Sequence, residues 1–365
     1  MHHKYWLFLL TLLLFTAGGC TKKENVLRSK QASLPPDSTV LTNISFGSCA
    51  GQDDSQKHWA AIEKTKPQLF LFIGDNVYGD VSLDDPELPQ LREAYATLAA
   101  NKEYDRFQSQ IPILPTWDDH DYGKNDGGGE FKLKQQSEAL FIKFFGISDT
   151  DPRAERPGLY HSWTFGEEGQ RVQIIMLDSR YFRDSFTPTD ERGKKGKERY
   201  VPSTDGKGSI LGETQWTWLA GELQKPAELR LIVSSYQILA DDHGFEAWRH
   251  LPHERERLMK LIKTNKANGA LFLSGDRHIG ALYVDEKRDY PVYELTSSSL
   301  NKAFAKEPES TGPPMVGKTV VTENFGQILV DWKAETVTLN LLQMDGSTSL
   351  SKTIQLSTLR MPSAK

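Results

Sequence analysis

The chain has 365 residues, of which 38% are hydrophobic and 25% charged, an ordinary globular balance in a chain long enough to bury a sizeable core. Its net charge of -5 and isoelectric point near 6.0 argue against a general nucleic-acid binder, which would be basic. No solenoid or propeller repeat and no low-complexity tract divides it.

The first 19 residues read as a signal peptide. Lys4 supplies a positive start, Tyr5 to Phe15 an apolar run, and Ala17, Gly18 and Gly19 a small-residue end before Cys20. The run is too short to span a bilayer, and polar residues follow it. A cysteine after two glycines resembles a bacterial lipobox, although Ala17 stands where leucine is commoner. A lipid on Cys20 would anchor an exported protein to a membrane surface; ordinary cleavage with Cys20 incidental is the alternative. Residues 20–38, ending in Leu-Pro-Pro-Asp-Ser, read as a flexible tether, and residues 39–358 as one catalytic domain.

Six apolar runs share one design in that domain: 40–48, 67–75, 111–119, 171–179, 229–237 and 269–277. Each is strand-like and closes in a polar cluster. Helical segments separate them at 56–64, 87–104, 132–145, 212–224 and 253–266, whereas 190–208 reads as a mobile basic loop with a solvated face. From residue 281 onward the pattern changes to antiparallel strands and hairpins. Strands hydrophobic along their whole length belong in sheets covered on both faces, and ligands gather at their carboxyl ends. The closing clusters should therefore meet: Ser48 and Cys49, Asp75, Asp118 to His120, Asp178 and Arg180, Gln237, and Asp276 with His278.

The chemistry of these clusters points to cations. In Gly74-Asp75-Asn76-Val77-Tyr78-Gly79-Asp80 the glycine admits a close backbone, Asp75 is able to bridge two ions, and a phenolate three residues on suits ferric iron. The plain alternative is a turn in which Asp75 caps a helix and Tyr78 packs. Asp118, Asp119, His120 and Asp121 crowd like charges that need a cation or a proton, unless they form a solvated acidic turn. Among them, His120 would have a raised pKa and suit proton donation. Asp276 and His278 offer one hard oxygen and one borderline nitrogen. Cys49 has no partner for an internal disulfide once Cys20 is processed; a metal would stabilise its thiolate, whose free pKa is about 8.5, and a buried structural cysteine is the alternative.

Read together, FGSC, GDNVYGD, WDDHDYG, MLDSRYFR, LGETQWTWL, LIVSSYQIL and SGDRH, in that order over roughly residues 40–345, resemble the alkaline phosphatase D (PhoD-type) family of metallophosphatases. The resemblance implies an α/β fold, an αββα sandwich of two mixed β-sheets flanked by helices, with a two-metal centre between the sheets. Cys49 stands in the place of the usual Asp-x-His and would be a metal ligand. Asp75 matches the bridging carboxylate and Tyr78 the iron-binding tyrosine of purple acid phosphatases. Asp119 takes the place of a metal-binding asparagine, with His120 as the acid beside it. Gly275-Asp276-Arg277-His278 replaces Gly-His-x-His, and Gln237 lies where a further histidine ligand is common.

One site, with Cys49, Tyr78, Asp75 and His278, then favours Fe(3+). The other, with Asp119, Asp276 and Asp80 or Gln237 as further candidates, favours Ca(2+), with Mg(2+) or Mn(2+) as alternatives. In the implied mechanism a metal-activated hydroxide attacks a phosphate ester outside the cytoplasm, Arg180 neutralises a non-bridging oxygen, and His120 protonates the leaving alkoxide. An ion pair of Arg180 with Asp178 or another acid is the competing reading. The family contains phosphatases, phosphodiesterases and phospholipase D-type enzymes, so monoester or diester preference stays open. A catalytically inactive metal-binding lipoprotein is the reading from another class; no protein partner is implied.

Overall fold

A computed structural model describes residues 31–81, 85–288, 290–304 and 314–361. The leader and Cys20 lie outside the described residues. The end of the expected tether packs on the body: the Ala32 amide donates to the Gln108 carbonyl at 2.6 Å, and the Gly166 amide to the Asp37 carbonyl at 2.7 Å.

In chain order, β1 (Asn43–Gly47) leads through α1 (Lys57–Lys64) to β2 (Leu69–Ile73). Helices α2 (Pro89–Ala100) and α3 (Lys102–Gln110) precede β3 (Ile113–Thr116), and a short α4 (Asp119–Tyr122), α5 (Lys134–Phe144) and α6 (Pro152–Glu155) follow. Then come β4 (His161–Phe165), β5 (Val172–Met176), a small hairpin of β6 (Thr187–Pro188) and β7 (Tyr200–Val201), α7 (Gly212–Glu222) and β8 (Leu229–Ser234). After α8 (Pro252–Thr264) run β9 (Ala270–Ser274), β10 (Gly280–Asp285), β11 (Val292–Ser297), β12 (Met315–Val320), β13 (Asn324–Asp331), β14 (Thr336–Gln343) and β15 (Thr348–Gln355).

These strands build two large mixed sheets. The first has the order β15-β14-β13-β1-β2-β3, the second β12-β10-β11-β9-β8-β5-β4. Strands β1, β2 and β3 are mutually parallel, as are β5, β8, β9 and β11, while the late strands β13 to β15 pair antiparallel. Parallel neighbours bring their carboxyl ends to one edge, which is why distant polar clusters meet there.

Strand β2 shows how sequence becomes layering. Its residues Leu69, Leu71 and Ile73 point into the core shared with the second sheet, while Phe70 and Phe72 point the other way, with period two. The outward phenylalanines meet Trp59 of α1, with ring centroids 5.8 and 5.5 Å away, and Tyr104 and Phe107 of α3 complete that layer. On the far side, Trp216 and Leu219 of α7 and Leu258, Met259 and Ile262 of α8 cover the second sheet. The mixed α/β sandwich implied by the sequence is the fold found. Trp117, Trp216 and Trp248 are buried packing residues. The helix expected over 87–104 is two helices. Asn101 interrupts it, and its side chain accepts a hydrogen bond from the Tyr104 amide at 3.0 Å to cap the second. The 190–208 segment is largely loop but holds β7, which pairs with β6 just before it, and a bridge between Lys194 and Lys197.

Candidate metal centre

Each donor sits just past a strand end, where the backbone turns sharply. Of the nine non-glycine residues with positive φ among those described, four are Cys49 (61°), Asp75 (48°), Asp276 (68°) and His278 (54°). Residues held in this region cost free energy and concentrate at functional sites. Gly74, at φ 112°, makes the turn possible: a Cβ there would lie 2.6 Å from the Asp118 Cβ.

Around Asp75 two groups of donors meet. The Cys49 thiol donates to Asp75 Oδ2 at 3.4 Å, and the Tyr78 hydroxyl reaches the same oxygen at 3.2 Å. Tyr78 Oη lies 3.3 Å from His278 Nε2. His278 Nδ1 faces the Lys302 carbonyl, which can only accept a hydrogen bond from an Nδ1–H; Nε2 is therefore the bare nitrogen, turned toward the other donors. Ligand atoms of Cys49, Asp75 and His278 all lie within 4.8 Å of one another. On the other side, Asp75, Asp119 and His120 form one such group and Asp118, Asp119 and Asp276 another. Asp75 belongs to two of these groups and Asp119 to three, the third with Asp126 and Glu246, the position a shared ligand would take.

Electrostatics give this set its character. Burial, then Asp119 and Asp118 overcoming His120, raises the Asp75 pKa well above the carboxylate range; burial and Asp118 do the same to Asp276. Burial, then Asp75, pushes the Cys49 thiol up. Asp118 Oδ2 and Asp119 Oδ1 are buried with no hydrogen-bond partner. Orphaned carboxylate oxygens and crowded like charges are what a hard cation relieves, so the donor set fits a metal centre.

His120 is oriented for proton donation. Burial lowers its pKa, but Asp119, Asp75 and a hydrogen bond to Asp80 outweigh this and raise it to about 11. Its Nδ1 is 2.5 Å from Asp80 Oδ2, which leaves Nε2 for the cavity, and its ring packs on Tyr78 at 4.3 Å.

Three residues stand apart from the expected ligand and substrate roles. Asp80 is exposed and holds His120, a second-layer position for a carboxylate at the rim. Gln237 is fully buried with both amide ends engaged: Nε2 donates to Thr296 Oγ1 at 2.9 Å, and Oε1 accepts from His243 at 2.7 Å. Arg180, expected at the phosphate, has no exposed surface. Its Nε donates to Asp118 Oδ1 at 2.6 Å and its Nη1 to Glu246 Oε2 at 2.7 Å; the ion-pair reading describes it, with Asp118 and Glu246 as partners in place of Asp178. The remaining candidates, Cys49, Asp75, Tyr78, Asp119, His120, Asp276 and His278, come together. Asp118 was legible as part of an acidic run, whereas Asp126 and Glu246, grouped with Asp119, lie in loops with no motif to mark them.

Beside the donors lies a cavity of about 320 Å³, lined by Asp119, His120, Asp276 and His278 together with Arg199, Phe245, Arg277 and Phe304.

The model of the PhoD-like phosphatase family matches residues 44–341. Alkaline phosphatase D of Bacillus subtilis (strain 168) is 22% identical over 316 residues, covering 75% of this chain and 51% of that protein; the chain thus spans about half the length of this curated relative. The solved structure titled "Structure of PhoD" superposes with a TM-score of 0.68 at 16% identity, over 91% of this chain and 73% of the other.

Proposed function

Because the chain belongs to the PhoD-like phosphatase family, we propose that it is a metal-dependent phosphoric ester hydrolase with a two-metal centre. The observation that carries this reading is the run of donor groups linked through Asp75 and Asp119, in which one oxygen each of Asp118 and Asp119 is buried without a hydrogen-bond partner. Cys49, Tyr78, His278 and Asp75 would hold Fe(3+), since thiolate, phenolate and imidazole are strong anionic or borderline donors. Asp118, Asp119 and Asp276 would hold Ca(2+), Mg(2+) or Mn(2+), which prefer oxygen. When bound, such ions supply Lewis acidity toward phosphate oxygens and acidify water.

The chain's own residues do the rest. With Nδ1 held by Asp80, His120 would deliver its Nε2 proton to the leaving alkoxide. The Lys302 carbonyl fixes the tautomer of His278, and Arg180 holds Asp118 at the wall of the centre. A lipid on Cys20 would place residues 39–358 as a catalytic domain at a membrane surface on the exported side. No helix among the described residues is long and apolar enough to cross a membrane.

The test combines elemental analysis, a visible spectrum and turnover of p-nitrophenyl phosphate beside its bis-ester. Iron at one equivalent, a second cation, a coloured sample and hydrolysis of one of the two esters are expected, and the ratio of the two rates sets monoester against diester preference. Cys49→Ala should lose the iron and the colour. An active enzyme whose iron survives Cys49→Ala returns Cys49 to a packing role; a metal-binding protein inert on both esters removes the hydrolase reading.

A further inference from the structure

Among the described residues, Arg277 is a cation without an acidic partner. It lies between Asp276 and His278 and lines the cavity beside the metal donors. Among the described residues no carboxylate or carbonyl accepts from its guanidinium, and its Nε is buried without a hydrogen-bond partner. The other cation on that wall, Arg199, is already neutralised by Asp126 at 2.5 Å. Arg180, nearest the carboxylates, is neutralised twice, by Asp118 and Glu246. Of these three arginines, Arg277 alone has no acidic partner among the described residues and keeps its donors uncommitted.

Its position is built. The guanidinium lies 4.2 Å from the centroid of the Phe245 ring, a cation–π contact that holds the plane without consuming the N–H groups. Phe245 is held in turn: its amide donates to His243 Nδ1 at 3.2 Å, His243 donates through Nε2 to Gln237 Oε1 at 2.7 Å, and Gln237 donates to Thr296. Gln237 therefore serves the cavity from behind, by fixing the loop that carries the aromatic platform.

We propose that Arg277, laid on Phe245, is the anchor for the anionic oxygens of the phosphate ester in the cavity, the part expected of Arg180. A planar guanidinium presents two parallel N–H donors to a phosphate, and a half-buried, unpaired one binds it far more strongly than a surface lysine. The proposal rests on the hydrolase reading for its substrate, but not for its test, which uses inorganic phosphate as a probe.

Isothermal calorimetry would measure inorganic phosphate binding to the full metal-loaded chain and to Arg277→Gln and Arg277→Lys, beside metal content, unfolding temperature and steady-state kinetics. Loss of one charge-assisted bidentate contact predicts a Kd for phosphate weakened by about 10- to 100-fold in Arg277→Gln. Arg277→Lys should recover part of it, with metal content and unfolding temperature unchanged. KM for p-nitrophenyl phosphate should rise in step, and Phe245→Leu should weaken binding by a smaller factor. A phosphate Kd within twofold of the parent in Arg277→Gln overturns the proposal, as does weakening accompanied by metal loss. A parent protein that binds phosphate but hydrolyses no ester refutes the hydrolase reading and leaves the Arg277 comparison decisive.

Discussion

At the scale of single residues, the contrast between Arg180 and Arg277 shows where charge is structural and where it is free. Both follow an apolar strand by a few positions, and each has an acid just before it in sequence, Asp178 and Asp276. Only the tertiary surroundings separate them: Arg180 is enclosed with Asp118 and Glu246, whereas Arg277 faces the cavity. Removing one partner of a buried ion pair leaves the other charges uncompensated, at a cost of about 3–5 kcal/mol. Arg180→Met should therefore lower the unfolding free energy by about that amount, measured by urea titration. A variant with parental stability and only a raised KM would return Arg180 to the substrate. The donors were legible because each closes an apolar run, and Cys49 was legible by being an unpaired thiol among them. Asp126 and Glu246 were not: their roles come from facing Asp119 and the arginines across loops, which no local spacing encodes.

Secondary-structure elements were legible where the apolar period was long. The continuous run of β2 announced a strand covered on both faces, and the alternation of leucine with phenylalanine decided which face met the second sheet. The strand β4 was missed because its residues are only half-buried at the sheet edge and carry little apolar signal. The break between α2 and α3 was missed because a mid-helix asparagine is common on exposed surfaces, and only its cap geometry marks a new start. Helix α5 carries a pH-sensitive contact. Burial, then Asp178, raises the pKa of Glu138 to about 8, and its Oε1 accepts from the Gly158 amide at 2.5 Å. The folded chain thus holds a proton that the unfolded chain releases near pH 4.5. Stability from this group is full below that pH and falls as pH rises toward 8. Glu138→Gln keeps the acceptor and removes the ionisation. Its stability relative to the parent should improve by about 1–3 kcal/mol between pH 5 and pH 8 in urea titrations. An identical difference at both pH values would refute this.

For the whole molecule, the two sheets bring Cys49, Asp75 and Asp119 from one side against Asp276 and His278 from the other. Buried like charges oppose that closure unless cations occupy the space between them. Ions that bind only the folded chain stabilise it by mass action, about 4 kcal/mol at a thousandfold excess over Kd. Chelation should therefore lower the unfolding temperature by roughly 5–10 °C while far-ultraviolet dichroism at 25 °C stays unchanged. Equal melting temperatures before and after chelation would detach the ions from the fold. The same arrangement means that neither sheet owns the centre. A fragment ending before β9 keeps sulfur and three aspartates yet lacks the opposing jaw; one beginning after β3 keeps the jaw and loses the sulfur. Circular permutation through an outer loop should be harmless, whereas any cut that separates the two layers abolishes capture of both ions at once.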